Sequence, residues 1–481
     1  MARRARRPVV VLTALALVPA VGLGAIAFIA RTQSRSSSSA TVDSVPEPLP
    51  AVLATSLLSV RRAPSTLAGD RRSDVLLDES DPLAAAIDST SCLVLQVNDR
   101  PLVGLNSDVA LIPASTLKIV TAAVALEVLG AGATFTTAVV GPAPVNGVVE
   151  GDVYLVGGGD PVLSEQWYMQ QTEVRKRPPL HATDVNALAD ALVAAGVTSI
   201  TGSVIGDGAR YDDERYPPGW SDDIRATADG TPVGPLVIND STTATTGHAD
   251  NPTLSAAKTF LALLDDRSVS VAGGADTGTA PTGLSVLGSV TSASLVDILN
   301  EMLATSDNLT AEMLVKEIGL ARAQQGTRAA GLQVISETLS GWGLAMAGVQ
   351  LTDGSGLSRD NRLTCSLLAG VLQRGSANDP VGAGLAVGGQ VGSTLVDSFL
   401  QEGLAGVLQG KTGTLSKVKA LSGYFMAGGD EVSYVLIING DAAAGFQGQW
   451  DQLAAVFLAL GSTPDPEALA PMAGSAQGAG A

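Results

Sequence analysis

The run 119–129, IVTAAVALEVL, is almost entirely apolar. A helix of that composition has no polar face to give to solvent, so it is buried on most sides and other elements must be built around it. At its mouth stands Pro113-Ala114-Ser115-Thr116-Leu117-Lys118. A serine in the first turn and a lysine three residues on share one face, which sets the amine beside the hydroxyl. A lysine held against an apolar core loses hydration, its pKa falls, and it can serve as a base. Serines are activated in this way without histidine. Ser-x-x-Lys alone is weak, since chance gives it roughly once in a few hundred residues. Two more copies occur, Ser255…Lys258 and Ser416…Lys419.

The chain has 481 residues, room for two or three domains. Its net charge of −18 argues against nucleic acid as a partner, because a phosphate-binding surface needs a basic patch. Only two histidines are present, His181 and His248. An HExxH zinc site and a three-histidine metal site are therefore excluded within one chain, and no GxSxG elbow is present to serve a Ser-His-Asp triad. Cys92 and Cys365 each lie in an apolar run. A disulfide and two buried thiols are equally open for them.

Arg3, Arg4, Arg6 and Arg7 precede an uncharged run at 8–30. As a helix it would span about 34 Å, enough for a bilayer. The arginines place the N-terminus in the cytoplasm and the rest outside. We expect a signal anchor or signal peptide over 1–31, with the length favouring the anchor although Ala25-Ile26-Ala27 resembles a cleavage site. The expected division continues with a linker at 32–80, Ser- and Pro-rich over 32–50 and open over 51–80 to packing on the domain or staying loose, a first catalytic part at 81–134, an inserted β-rich domain at 135–275, a second catalytic part at 276–461 and a disordered tail at 462–481.

A short helix is expected at 82–88, then two strands at 92–99 and 101–106. The stretch 135–163 reads as β-hairpins, and 181–197 as an amphipathic helix capped by Thr183. Residues 292–319 have helical periodicity interrupted by Ser306-Asp307-Asn308, a break between two helices that could carry Ser306 and Asn308 into a cleft. Residues 351–362, LTDGSGLSRDNR, form a polar, Gly-rich loop before a second apolar helix. Residues 406–415, 419–428 and 432–440 read as successive antiparallel strands, and 449–461 as a closing helix. Lys411-Thr412-Gly413-Thr414 lies on the first of these strands, with Gly413 letting a ligand backbone approach and Lys411, Thr412 and Thr414 facing a carboxylate.

Ser-x-x-Lys at 115, Ser-x-Asn at 306 and Lys-Thr-Gly at 411 together resemble the active-site set of the penicillin-binding proteins and serine β-lactamases. The stretches around GDVYLVGGGDP, TSDNLTAEML, DGSGLSRDNR and GKTGTLSKVKALSGY are similar to the class C low-molecular-mass penicillin-binding proteins. These are the D-alanyl-D-alanine carboxypeptidase/endopeptidases of the peptidase S13 type. The likeness covers about 80–460, and the long insertion between the first two motifs is typical of the type. The resemblance implies an α+β fold, an antiparallel sheet flanked by helices with a helical subdomain. It implies that Ser115 attacks a D-Ala-D-Ala bond of a peptidoglycan stem peptide, that neutral Lys118 takes its proton, and that Ser306 relays a proton to the leaving D-alanine. Asn308 would hold the substrate amide. Lys411 would raise the local positive potential and help keep Lys118 deprotonated, and Thr412 and Thr414 would bind the carboxylate. The N–H groups of Ser115 and Thr414 would form the oxyanion hole. It further implies no metal or cofactor, β-lactams as acylating inhibitors, and extracytoplasmic action with membrane contact through an uncleaved N-terminus. A β-lactamase or esterase on the same fold, and an idle peptidoglycan-binding homologue, are the alternatives.

Overall fold

Strand β1 (Ser91–Val97) is buried along its whole length. Both its faces must therefore be covered, and its side chains alternate between two cores. Cys92 and Val94 join a cluster with helix α2 (Leu117–Leu129), while Leu93, Leu95 and Val97 join a cluster on the opposite face. A computed structural model describes residues 63–170, 180–242 and 247–463, all within one unit spanning 60–481. The apolar span at 8–30 and the tail from 464 lie outside the described residues; among those described, no helix is long and apolar enough to cross a membrane.

In chain order the elements that position the site begin with α1 (Ala63–Ala85), β1, β2 (Arg100–Leu105) and α2. Strands β3 (Thr136–Gly141), β4 (Val153–Val156) and β5 (Val204–Asp207), helix α3 (Pro252–Asp266), and strands β6 (Ala275–Thr277) and β7 (Ser285–Thr291) follow. Next come α4 (Leu295–Thr305), α5 (Asn308–Ala323), α6 (Cys365–Leu372), β8 (Ala386–Val387), β9 (Gln409–Leu415), β10 (Val418–Ala427), β11 (Asp430–Asn439) and α7 (Phe446–Gly461). The main sheet has six strands in the order β8-β9-β10-β11-β1-β2, all antiparallel. Helices α2, α5 and α6 pack on one face, and α1 and α7 on the other. The α+β expectation holds, as do the hairpin at 91–105 and the three strands 409–439.

Three expectations are corrected. Residues 63–80 are not linker: they form most of α1, which absorbs the short helix expected at 82–88. Leu76 and Leu83 of α1 are fully buried against the sheet, each side chain stabilising by about 2 kcal/mol. Arg72 is buried in an ion pair with Asp430. The stretch after 135 begins with the expected hairpin, β3 pairing antiparallel with β4, and then enters a mixed sheet. Its five-stranded sheet, β6-β5-β4-β3-β7, pairs β4 with β5 and β5 with β6 in parallel, which requires the intervening crossovers. That sheet runs past the expected boundary at 275, because β7 pairs antiparallel with β3. Finally, Thr183 does not cap the following helix, which starts at Asn186; the Asp184 carboxylate instead accepts the Asn186 N–H at 2.9 Å.

Cys92 and Cys365 form a disulfide, which resolves the alternative left open by the sequence. It ties β1 to the first turn of α6 across 273 residues of chain. Closing so long a loop stabilises mainly by restricting the unfolded chain, typically by about 2–4 kcal/mol. We therefore expect the Cys92→Ala/Cys365→Ala double variant to melt several degrees lower than the parent. Reductant should lower the parent's Tm towards the variant's and leave the variant's unchanged, as read by thermal denaturation.

Candidate active site

Ser115 lies in a single 3-10 turn, Ala114–Thr116, immediately before α2. Ala114 is held at φ +47°, a conformation that is sterically costly for a residue with a side chain. What holds it is close packing on two sides. A Cβ on Gly356 would lie 1.9 Å from the Ala114 carbonyl oxygen, and one on Gly413 would lie 2.9 Å from that of Pro113. The Ser115 N–H falls in the first turn, where a helix supplies no acceptor of its own. The Thr116 hydroxyl donates back to the Pro113 carbonyl at 2.7 Å.

Lys118 is completely buried one turn further on. Its Nζ lies 3.1 Å from Ser115 Oγ, 2.6 Å from Asn308 Oδ1 and 2.7 Å from the Ser355 carbonyl oxygen. The last two atoms are acceptors only. A neutral amine has two N–H bonds and one lone pair. With both N–H groups given to Asn308 and Ser355, the lone pair is left for the Ser115 hydroxyl proton. Burial pulls the Lys118 pKa from 10.5 down to about 8, against the opposing charges of Asp353, Asp307, Glu312 and Asp229. Desolvation is the largest cause of the fall.

Asn308 opens α5, directly after the break read from the sequence. Ser306 ends α4 in the left-handed region at φ +68°, and Asp307 caps α5 by accepting the Thr310 N–H at 2.7 Å. Two helices thereby meet at Ser306 and Asn308. The Asn308 Nδ2 donates to the Asp229 carbonyl at 2.9 Å, so the amide is fixed at both ends.

The sequence reading assigned no role to the acids behind Lys118. Asp353 is fully buried and accepts four hydrogen bonds, from the N–H groups of Gly356 and Ser358, Asn361 Nδ2 and Trp220 Nε1, at 2.5–2.9 Å. Glu312 accepts from the N–H groups of Gly354 (3.0 Å) and Ser355 (2.8 Å). Burial, and then the neighbouring Asp353 charge, push the Glu312 carboxyl up from its usual range. The Gly354 carbonyl accepts from Thr121 on α2 at 2.7 Å. These bonds fix the loop so that the Ser355 carbonyl meets Lys118. The Asp-Gly-Ser-Gly run at 353–356 was the available signal, but the working atom is a backbone oxygen.

Strand β9 carries Lys411, Thr412, Gly413 and Thr414 past the nucleophile turn. Lys411 is fully buried and its Nζ donates to the Thr412 carbonyl at 3.1 Å. By strand alternation Thr412 and Thr414 share the other face. Lys411 therefore does not line up with the threonine hydroxyls as the sequence suggested. Gly413 also admits the nucleophile turn, since a Cβ there would meet the Pro113 carbonyl and the Ala114 side chain. Ser255…Lys258 lies on α3, which packs on the other sheet, with Lys258 exposed.

Residues 88–251 and 241–457 match the D-Ala-D-Ala carboxypeptidase 3 (S13) family. The chain belongs to that family. It is 30% identical over 491 residues to a D-alanyl-D-alanine carboxypeptidase of Actinomadura sp. strain R39, covering 85% of this chain and 88% of the relative. It is also 30% identical over 375 residues to a carboxypeptidase of Mycobacterium tuberculosis, covering 74% of this chain and 77% of that one. The fold matches penicillin binding protein 4 of Haemophilus influenzae with a TM-score of 0.63 at 19% identity, over 75% of this chain and 93% of the other.

Two outcomes are expected. The second-order rate of Ser115 acylation by a penicillin should rise with pH and level off above an apparent pKa near 8, because Lys118 must be neutral to accept the proton. A midpoint near 10 would contradict a base tuned by burial. Gly413→Ala should slow acylation about tenfold or more by displacing the nucleophile turn, since small misplacements of reacting groups cost rate steeply. Stopped-flow acylation and a melting curve on the same variant would separate that effect from unfolding.

Proposed function

We propose that this S13-family protein is a serine DD-peptidase that cleaves the terminal D-Ala-D-Ala bond of peptidoglycan stem peptides on the extracytoplasmic side. The observation that carries the reading is the coordination of Lys118. Two fixed acceptors take its N–H groups and turn the lone pair to Ser115 Oγ, 3.1 Å away. As Oγ bonds to the scissile carbonyl carbon, its proton passes to Lys118 Nζ. The N–H groups of Ser115 and Thr414 receive the oxyanion, and such a donor is typically worth about 3–4 kcal/mol. Collapse breaks the C–N bond, and the proton returns through Ser306 to the leaving D-alanine amine. Water then hydrolyses the Ser115 ester. Asn308 holds Lys118 through Oδ1, and the second N–H of Nδ2, not given to Asp229, would hold the substrate amide. Lys411 supplies fixed positive charge beneath β9, and Thr412 and Thr414 take the substrate carboxylate. β-Lactams would acylate the same serine.

We assign the six-stranded sheet with its helices to the catalytic domain and the five-stranded sheet with α3 to an insertion within it. The run at 8–30 is read as an export signal or an anchor. A disulfide joining β1 to α6 fits an oxidising compartment.

The test is intact-mass analysis of the protein after exposure to penicillin, with peptide mapping, alongside D-alanine release from a D-Ala-D-Ala peptide. A lasting adduct on Ser115, abolished together with D-alanine release in Ser115→Ala, is the expected result. Penicillin consumed without a lasting adduct would make the protein a β-lactamase instead. Full D-alanine release by Ser115→Ala would end the assignment of the nucleophile.

A further inference from the structure

The third Ser-x-x-Lys pair, Ser416…Lys419, has no part in this scheme, but its lysine has a place beside it. Lys419 on β10 is directly opposite Thr414 on β9, and its Nζ donates to Thr414 Oγ1 at 3.1 Å. The ammonium stands 4.3 Å from the centroid of the Phe446 ring. Among the described residues no carboxylate pairs with it, and burial alone moves its pKa below the usual lysine range. The neighbouring cations are already engaged: Lys417 with Asp441 at 2.8 Å, and Arg359 with the Ser416 carbonyl at 2.7 Å. In a chain of net charge −18, a half-buried cation held only by a hydroxyl and a ring is a site lacking its anion.

The hydrogen-bond polarity adds a second argument. An ammonium donates and never accepts. Thr414 Oγ1 is therefore the acceptor in this bond, and its single proton is turned away from Lys419 and available to another acceptor. Nζ keeps further N–H groups of its own. The pair thus offers a positive charge and a hydroxyl donor side by side, which suits a carboxylate.

We propose that Lys419 is a specificity-determining residue that completes, with Thr414, the subsite for the free C-terminal carboxylate of the substrate. The assignment rests on the DD-peptidase reading, which gives Thr412 and Thr414 to that carboxylate. It makes discrimination between a free and a masked C-terminus depend on a residue outside the three motifs.

The experiment compares an acylated D-Ala-D-Ala peptide with its C-terminal carboxamide, the latter measured as a competitive inhibitor. In Lys419→Met the KM for the acid should rise about tenfold with kcat within twofold. The inhibition constant of the carboxamide should not change, and Lys419→Arg should restore most of the discrimination. A penicillin adduct on Ser115 at saturating penicillin verifies that the variant is folded. Unchanged discrimination, or equal weakening of acid and amide, would overturn the assignment of Lys419 while leaving the enzyme a DD-peptidase. A parent protein that neither binds penicillin covalently nor releases D-alanine would overturn the DD-peptidase reading, and the subsite with it.

Discussion

Everything near the nucleophile depends on an amine kept out of water. Lys118 is fully buried in the first turn of a helix whose other faces are apolar. A pKa lowered from 10.5 to about 8 means that holding the ammonium there costs roughly 3 kcal/mol relative to water. That cost is present in full below pH 8. It is relieved as pH rises from about 8 to 10.5, where the unfolded chain binds the proton more readily than the folded one. Folding tolerates the penalty because three oxygens surround Nζ, so neither protonation state leaves a buried N–H unpaired. The same three oxygens would direct the lone pair of the neutral amine to Ser115, as the proposed role requires.

Burial by itself would depress the pKa without limit on function. Four acids, Asp353, Asp307, Glu312 and Asp229, pull in the opposite direction. The balance leaves about a tenth of the amine neutral at pH 7, the form that the proposed mechanism requires to take a proton from Ser115. Asp353 and Glu312 also do structural work, since their hydrogen bonds hold the 353–358 loop on which the Ser355 carbonyl sits. One set of carboxylates therefore fixes both the position of the base and its charge.

The parts legible in the sequence were those written in side chains along one local element. The Ser115 helix, the helix break at Ser306 and Asn308, and the strand bearing Lys411 each declare themselves within a dozen residues. What stayed hidden is long-range or has no letter of its own. The carbonyl oxygens of Ser355 and Asp229 belong to the backbone, and any residue could supply them. Gly413 signalled a close approach, but only the fold shows that the nucleophile's own turn makes one. The extent of α1 was masked by Pro82 and by arginines that look solvated until Arg72 meets Asp430. Parallel pairing after 135 joins strands about fifty residues apart, beyond the reach of local periodicity.

The insertion takes part in the site, and its attachment explains how. Its first and last strands, β3 and β7, pair antiparallel from Thr136↔Thr291 onward. Below them the Phe135 N–H and carbonyl bond to Ser292, and the Leu295 N–H bonds to the Ala133 carbonyl. The chain thus leaves the end of α2 and returns to the start of α4 at almost the same point, so the 150-odd residues between can fold without parting the two helices. Closed at its base, the insertion can send loops back over α5. Arg210 and Tyr211 reach Glu317, Asp212 pairs with Lys316, and Glu214 with Arg328. Those contacts lead the chain to Trp220, bonded to Asp353, and to Asp229, whose carbonyl takes the far end of the Asn308 amide. An amide held at one end could rotate and exchange its oxygen for its NH2 group, which would face Lys118 with a donor. Held at both ends it cannot, so these loops keep an acceptor facing Lys118.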